Sequence, residues 1–111
     1  MRVRVSVSER AEADLTHQYH WYPDNAGGEV AERFLEAVDS TVARLAKHPR
    51  LGRPRRFRAP ELAGIRSLPV GASFGVHLVF YRVSLRELSI ERVMHAARDL
   101  PRRLLESPDP E

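Results

Sequence analysis

Val3, Val5 and Val7 alternate with Arg4 and Ser6, the two-residue period of a half-buried strand. Ser8 then reads as a helix N-cap, with Glu9 in the first turn where the helix dipole favours an acid. Ala11, Leu15, Tyr19 and Tyr22 recur at helical spacing and predict an amphipathic helix to about Tyr22, ended by the turn formers of residues 23–28. A second helix is expected from Gly28 or Glu29. Its apolar stripe is Val30, Phe34, Val38, Val42 and Leu45, and His48-Pro49 stops it because a residue before proline disfavours helix. Residues 49–64, with three prolines and two glycines, read as a loop.

Beyond the loop the period changes from 3.6 to 2. Ile65 to Val70 reads as a strand, and Phe74 to Tyr81 as a second, with Phe74, Val76, Leu78 and Phe80 on one face and His77, Val79 and Tyr81 on the other. Glu87 to Met94 gives a third, with Leu88 and Ile90 facing inward, and Asp99 to Glu106 a short helix. Hairpin-length connectors join the three strands, which predicts an antiparallel meander. The expected fold is α+β: the N-terminal strand completes one sheet and an antiparallel helix hairpin covers one face, in the order β-α-α-β-β-β with a short C-terminal helix. Residues 1–106 are expected to form one domain and 107–111 a frayed tail.

Composition narrows the class. At 111 residues with 42% hydrophobic and 30% charged side chains, the chain suits a folded domain with one modest core. No apolar run reaches the roughly 20 residues of a membrane span, so no membrane partner is expected, and the alternating N-terminus lacks the apolar block of a signal peptide. The absence of cysteine excludes disulfides and thiolate metal sites. A cytoplasmic protein is the default expectation.

The net charge of +3 is unevenly spread. Residues 1–43 carry an excess of four acids, residues 44–60 carry seven cations and no acid, and residues 61–111 balance. Arg44, Lys47, Arg50, Arg53, Arg55, Arg56 and Arg58 thus form a candidate contact for nucleic acid or an acidic protein segment. An arginine bias from a GC-rich genome would leave the same trace, since 17 of the 18 cations are Arg.

Candidate chemistry is sparse. His17 and His20 have a permissible ligand spacing, but no carboxylate and third histidine complete a metal site, and Gly27-Gly28 is not followed by the Lys-Ser/Thr of a phosphate loop. No metal or cofactor is expected. Residues 92–99 are more informative. His95 and Asp99 stand four apart where a strand passes into a helix, and a histidine among Arg92, Arg98 and other arginines would suit acid–base chemistry on a phosphodiester. The plainer reading is a local Arg98–Asp99 pair, with His95 closing the strand end. Trp21, Tyr19, Tyr22 and Tyr81 read as packing residues, although Tyr81 beside a basic loop could stack on a base.

The order and spacing of several segments then resemble the ParE branch of the ParE/RelE toxin superfamily. They are Ala11-Glu12-Ala13-Asp14-Leu15, Ala31 to Leu45, His48-Pro49-Arg50-Leu51-Gly52-Arg53, Gly64-Ile65-Arg66, His77 to Arg82 and Arg92 to Asp99. The resemblance covers nearly the whole chain. It implies the toxin of a bacterial type II toxin–antitoxin system, held silent by a cognate ParD-like ribbon-helix-helix antitoxin, with operator DNA bound only through that antitoxin. One branch poisons DNA gyrase by protein contact, and the other cuts mRNA on the ribosome without a metal; a third alternative is an inactive toxin fold that serves only as an antitoxin-binding module. For the nuclease the resemblance points to His95, Arg66, Arg92 and Arg98; for target or partner contact, to Arg50, Arg53, Arg55, Arg56, Arg58, Tyr81 and Arg82. Leu68-Pro69-Val70, where the nuclease branch tends to carry a cation, tilts the reading to gyrase, and the proline predicts an edge or bulged position.

Overall fold

The computed structural model describes residues 3–25, 28–71, 74–96 and 100–106, with side chains described outside 21–25 and 28. In chain order the elements are β1 (Arg4–Val7), α1 (Glu9–Asn25), α2 (Gly28–Lys47), β2 (Arg53–Pro54), a 3₁₀ turn (Pro60–Leu62), β3 (Arg66–Pro69), β4 (His77–Val83), β5 (Glu87–His95) and α3 (Leu100–Leu105). The strands form one mixed sheet in the order β1-β5-β4-β3-β2, in which β1 runs parallel to β5 and the remaining pairs are antiparallel. The expected α+β meander with an added N-terminal strand is present.

Three features differ from the sequence expectation by more than a single residue at an end. Helix α1 continues through Pro23 to Asn25. The missing proline N–H removes only one hydrogen bond from a helix already in its last turn. The supposed loop contains β2, whose Arg53 and Pro54 pair with Ser67 and Arg66 to give a fifth strand. Strand β4 begins at His77 rather than Phe74. Phe74 instead packs edge-to-face on Phe34, with ring centroids 5.4 Å apart, while Val76 is 55% exposed. Because β2 covers only the first half of β3, Pro69 has no strand on its outer side, as its lost donor requires.

The sheet is covered on both faces. Against one lies the helix hairpin, whose Ala11, Phe34, Val38 and Leu45 pack on Val79, Tyr81, Leu88, Ile90 and Val93. On the other, Phe80 and Met94 pack with Leu62, Ile65 and Leu104 of the 3₁₀ region and α3. The core alternation along β5 shifts after Ile90, because Tyr81 pairs with Ile90 and Phe80 with Arg92, leaving Glu91 as a bulge residue. Val93 thereby returns to the hairpin face, and Arg92 turns away from it.

The bulge is tied to the start of α1. The Ser8 hydroxyl caps the helix by accepting from the Ala11 N–H at 3.0 Å and donates to the Glu91 carbonyl at 2.7 Å. One turn later, Asp14 is buried. Its Oδ2 accepts from Arg92 Nε at 2.8 Å and from the Val93 N–H at 2.9 Å, and its Oδ1 accepts from Arg92 Nη2 at 2.9 Å. The remaining end of the guanidinium, Nη1, donates to the carbonyls of Arg103, Leu104 and Glu106 at 3.1, 3.2 and 2.7 Å. One arginine therefore joins α1, β5 and the C-terminal end of α3, where orphan helix carbonyls need donors.

Removing one partner of a buried, hydrogen-bonded pair leaves an uncompensated charge. Asp14→Ala is expected to lower stability by about 3–5 kcal/mol, read as a shift in the urea midpoint at constant slope; an unchanged midpoint would contradict the assignment.

Candidate functional site

The Arg-rich segment between α2 and β3 is held by inward-facing donors. Tyr81 is fully buried, its hydroxyl accepting from the Gly52 N–H and donating to the Pro49 carbonyl, both at 2.8 Å. Burial pushes the phenol pKa up, more than the Gly52 hydrogen bond and Arg66 pull it down, so it stays a donor at neutral pH. Gly52 is required here, since a Cβ would collide with the Tyr81 ring and the Ser67 carbonyl. Arg66 Nη1 donates to the carbonyls of Gly52 at 2.7 Å and Arg50 at 3.2 Å. Farther along, Arg82 holds the 3₁₀ region through the carbonyls of Ala63 and Glu61 and forms a 3.4 Å ion pair with Glu91.

The residues expected to contact a partner thus separate into two groups. Tyr81 and Arg82, like the candidate nuclease residue Arg66, point their polar groups at backbone carbonyls, and fully buried Tyr81 presents no surface for a target; its aromatic ring is a loop anchor. Arg50, Arg53, Arg56 and Arg58 are exposed. Among the described residues the side chains of Arg53, Arg56 and Arg58 make no hydrogen bond or ion pair. Arg55 is intermediate, with Nη1 on Ser67 Oγ at 2.9 Å and its guanidinium 5.3 and 5.8 Å from the ring centroids of Phe57 and Phe80.

Among the described residues the candidate nuclease residues Arg66, Arg92 and His95 do not converge. Arg92 is 5% exposed, and its donors are taken by Asp14 and the α3 carbonyls. His95 lies opposite His77, and Arg66 opposite Tyr81. The four residues from His77 to Tyr81 amount to about 13 Å at the strand rise of ~3.3 Å per residue, beyond hydrogen-bond reach. His95 and Arg92 also project to opposite faces, three residues apart on one strand. Arg98 lies outside the described residues. No group of three or more His, Asp or Glu is placed to hold a metal among the described residues, and none of their helices is long and apolar enough to cross a membrane.

Sequence reading missed Asp14 and the His77–His95 pair. Asp14 falls three residues after Ala11 and one before Leu15, on the apolar face of α1, where a lone acid is costly and so signals a partner. His77 is buried, with Nε2 at 3.2 Å from Gln18 Oε1 and its ring 4.9 Å from Phe34 and 5.3 Å from His95.

The architecture is that of toxins from toxin–antitoxin systems. The chain superposes on a solved chain described as the chromosomal ParDE TA system from P. aeruginosa with a TM-score of 0.70, at 23% identity over 86% of this chain and 98% of that one. A chain of the RelBE2 toxin–antitoxin complex from Mycobacterium tuberculosis gives 0.55, at 26% identity over 86% and 99%. Residues 5–100 match the family model described as the ParE toxin of type II toxin-antitoxin system, parDE. Toxin ParE1 of Caulobacter vibrioides is 34% identical over 80% of this chain and 84% of its own length. Toxin ParE1 of Mycobacterium tuberculosis is 31% identical over 94% of this chain and all of its own. The chain belongs to the ParE toxin family.

Burial first, then the His95 charge, hold the His77 imidazole below its ordinary pKa, against an opposing backbone interaction at Phe74. The folded state therefore keeps His77 neutral while the unfolded chain takes up a proton. The stability contribution is full above the unfolded pKa of about 6.5 and declines as pH falls below it. The wild-type urea midpoint should fall on acidification through this range, and His77→Gln should flatten the fall. An unchanged slope in that variant would count against the buried neutral imidazole.

Proposed function

We propose that this chain arrests growth by docking on DNA gyrase through its protein surface, with no bond-making chemistry of its own, and that a cognate antitoxin holds it silent. The observation that carries the mechanism is the commitment of Arg92 and Arg66 to backbone carbonyls and Asp14. A ribonuclease of the sister branch would need cations free to meet developing phosphate charge beside a general acid. Here those cations are spent on the fold, and His95 stands apart from both. Leu68-Pro69-Val70 on and after β3 supplies no replacement cation.

The antitoxin rests on the family itself and on the solved relatives, which come from ParDE and RelBE systems. A small ribbon-helix-helix protein of the ParD type fits this role. Operator DNA then enters through the antitoxin, whose ribbon-helix-helix fold is the DNA-reading part of such a pair.

Purified chain incubated with gyrase, supercoiled plasmid and ATP is expected to accumulate cleaved plasmid. Unchanged gyrase activity together with codon-specific cuts in ribosome-bound mRNA would overturn the proposal in favour of the ribonuclease.

A further inference from the structure

On the sheet face away from the helix hairpin, a groove of about 440 Å³ runs between β2, β3, the start of β4 and the start of α3. Its apolar lining includes Leu51, Pro69, Leu78 and Leu100, and one wall carries Arg53 and Arg55. Leu51 is 42% exposed and Pro69 is open to solvent, so the apolar strip is reachable from outside.

The two arginines sit together because the fold puts them there. Pairing of Arg53 with Ser67 fixes the strand, and two-residue alternation sends Arg53 and Arg55 to the same side. Arg55 is further braced by Ser67 Oγ and by the rings of Phe57 and Phe80. Partial burial, and then the neighbouring Arg53 charge, pull the Arg55 pKa below the ordinary guanidinium range. No acid occurs anywhere in residues 44–60 to relieve that repulsion. An approaching carboxylate would meet the braced Arg55 guanidinium and, beside it, the exposed Arg53 guanidinium.

The lining decides what kind of anion fits. Single-stranded nucleic acid is gripped by aromatic faces on which bases stack. This groove is lined by leucines and a proline, and the nearby faces of Phe57 and Phe80 are already under the Arg55 guanidinium. Aliphatic side chains flanked by carboxylates match both halves of the surface.

We propose that this groove seats an acidic, aliphatic-bearing segment of the cognate antitoxin, its carboxylates on Arg53 and Arg55 and its apolar side chains on Leu51, Pro69 and Leu78. The assignment rests on the toxin–antitoxin reading above and adds to it the docking surface and the chemistry of the partner segment.

The test titrates the purified chain with the protein encoded by the adjacent reading frame, following complex formation by calorimetry at several salt concentrations. Arg53 makes no side-chain bond within the described residues, so Arg53→Glu should keep the wild-type urea midpoint while weakening the complex by about tenfold or more and flattening its salt dependence. Leu51→Asp should weaken it comparably. Arg86→Glu, an exposed charge in the β4–β5 turn, should leave it unchanged. Binding by folded Arg53→Glu and Leu51→Asp at wild-type affinity would overturn the groove assignment alone. Failure of the wild-type chain to bind the neighbouring protein would remove the antitoxin reading and the groove with it. Binding of an oligouridine that is lost in Arg53→Glu, with antitoxin affinity intact, would reassign the groove to nucleic acid.

Discussion

Asp14 and Arg92 lie 78 positions apart in the chain, yet the geometry of the molecule turns on their contact. Taking a carboxylate and a guanidinium out of water is costly, and Coulomb attraction alone does not reliably offset it. Here the polar atoms are also saturated. Asp14 receives three hydrogen bonds, one of them from the Val93 amide just beyond the bulge, and Arg92 spends its last nitrogen on three carbonyls at the end of α3. The pair fixes the position of α1 beside β5 and docks a helix of only six residues, too short to hold itself in water. The second core, beneath Leu104 and the 3₁₀ region, depends on that docking.

A division of labour among the arginines follows. Arg66 and Arg82 donate to carbonyls of the irregular segments, and with Tyr81 they shape the chain between α2 and β3, whose regular structure is a two-residue strand and a three-residue 3₁₀ turn. Guanidinium suits this task because its planar fork can serve several carbonyls at once. Arg53, Arg56 and Arg58 are exposed, and among the described residues their side chains make no hydrogen bond or ion pair. A sequence tally counts all of these cations alike. The fold sorts them into those that build the surface and those that the surface displays, and among the described residues Arg66, Arg92 and His95 do not converge.

The helices and three main strands were legible because their burial is periodic. Phe34, Val38 and Leu45 on α2, and Leu88 and Ile90 on β5, face the core as their spacing predicts. Ser8 announced its cap by residue type alone. What escaped has no local period. Strand β2 is two residues long and contains a proline, so no alternation can mark it. The bulge at Glu91 shifts the pattern by one residue, and only pairing with β4 shows that Arg92 and Val93 have exchanged faces relative to strict alternation. Tyr81 read as a packing residue that could also stack on a base beside the basic loop; its hydroxyl partners, Pro49 and Gly52, lie about thirty positions away and leave no local mark. The Asp14 partner was readable only as a need: an acid on an apolar helix face requires a cation from somewhere, and the sequence offers many.

The central claim is that this ParE-family chain is a toxin acting through a surface and not through reacting side chains. Growth after induced expression in a bacterium lacking the adjacent reading frame measures it most directly, comparing wild type with His95→Ala, an exposed position outside both cores. The account predicts arrest by both proteins to a similar degree. Arrest by the wild type and undiminished growth with an equally abundant, folded His95→Ala variant would contradict it.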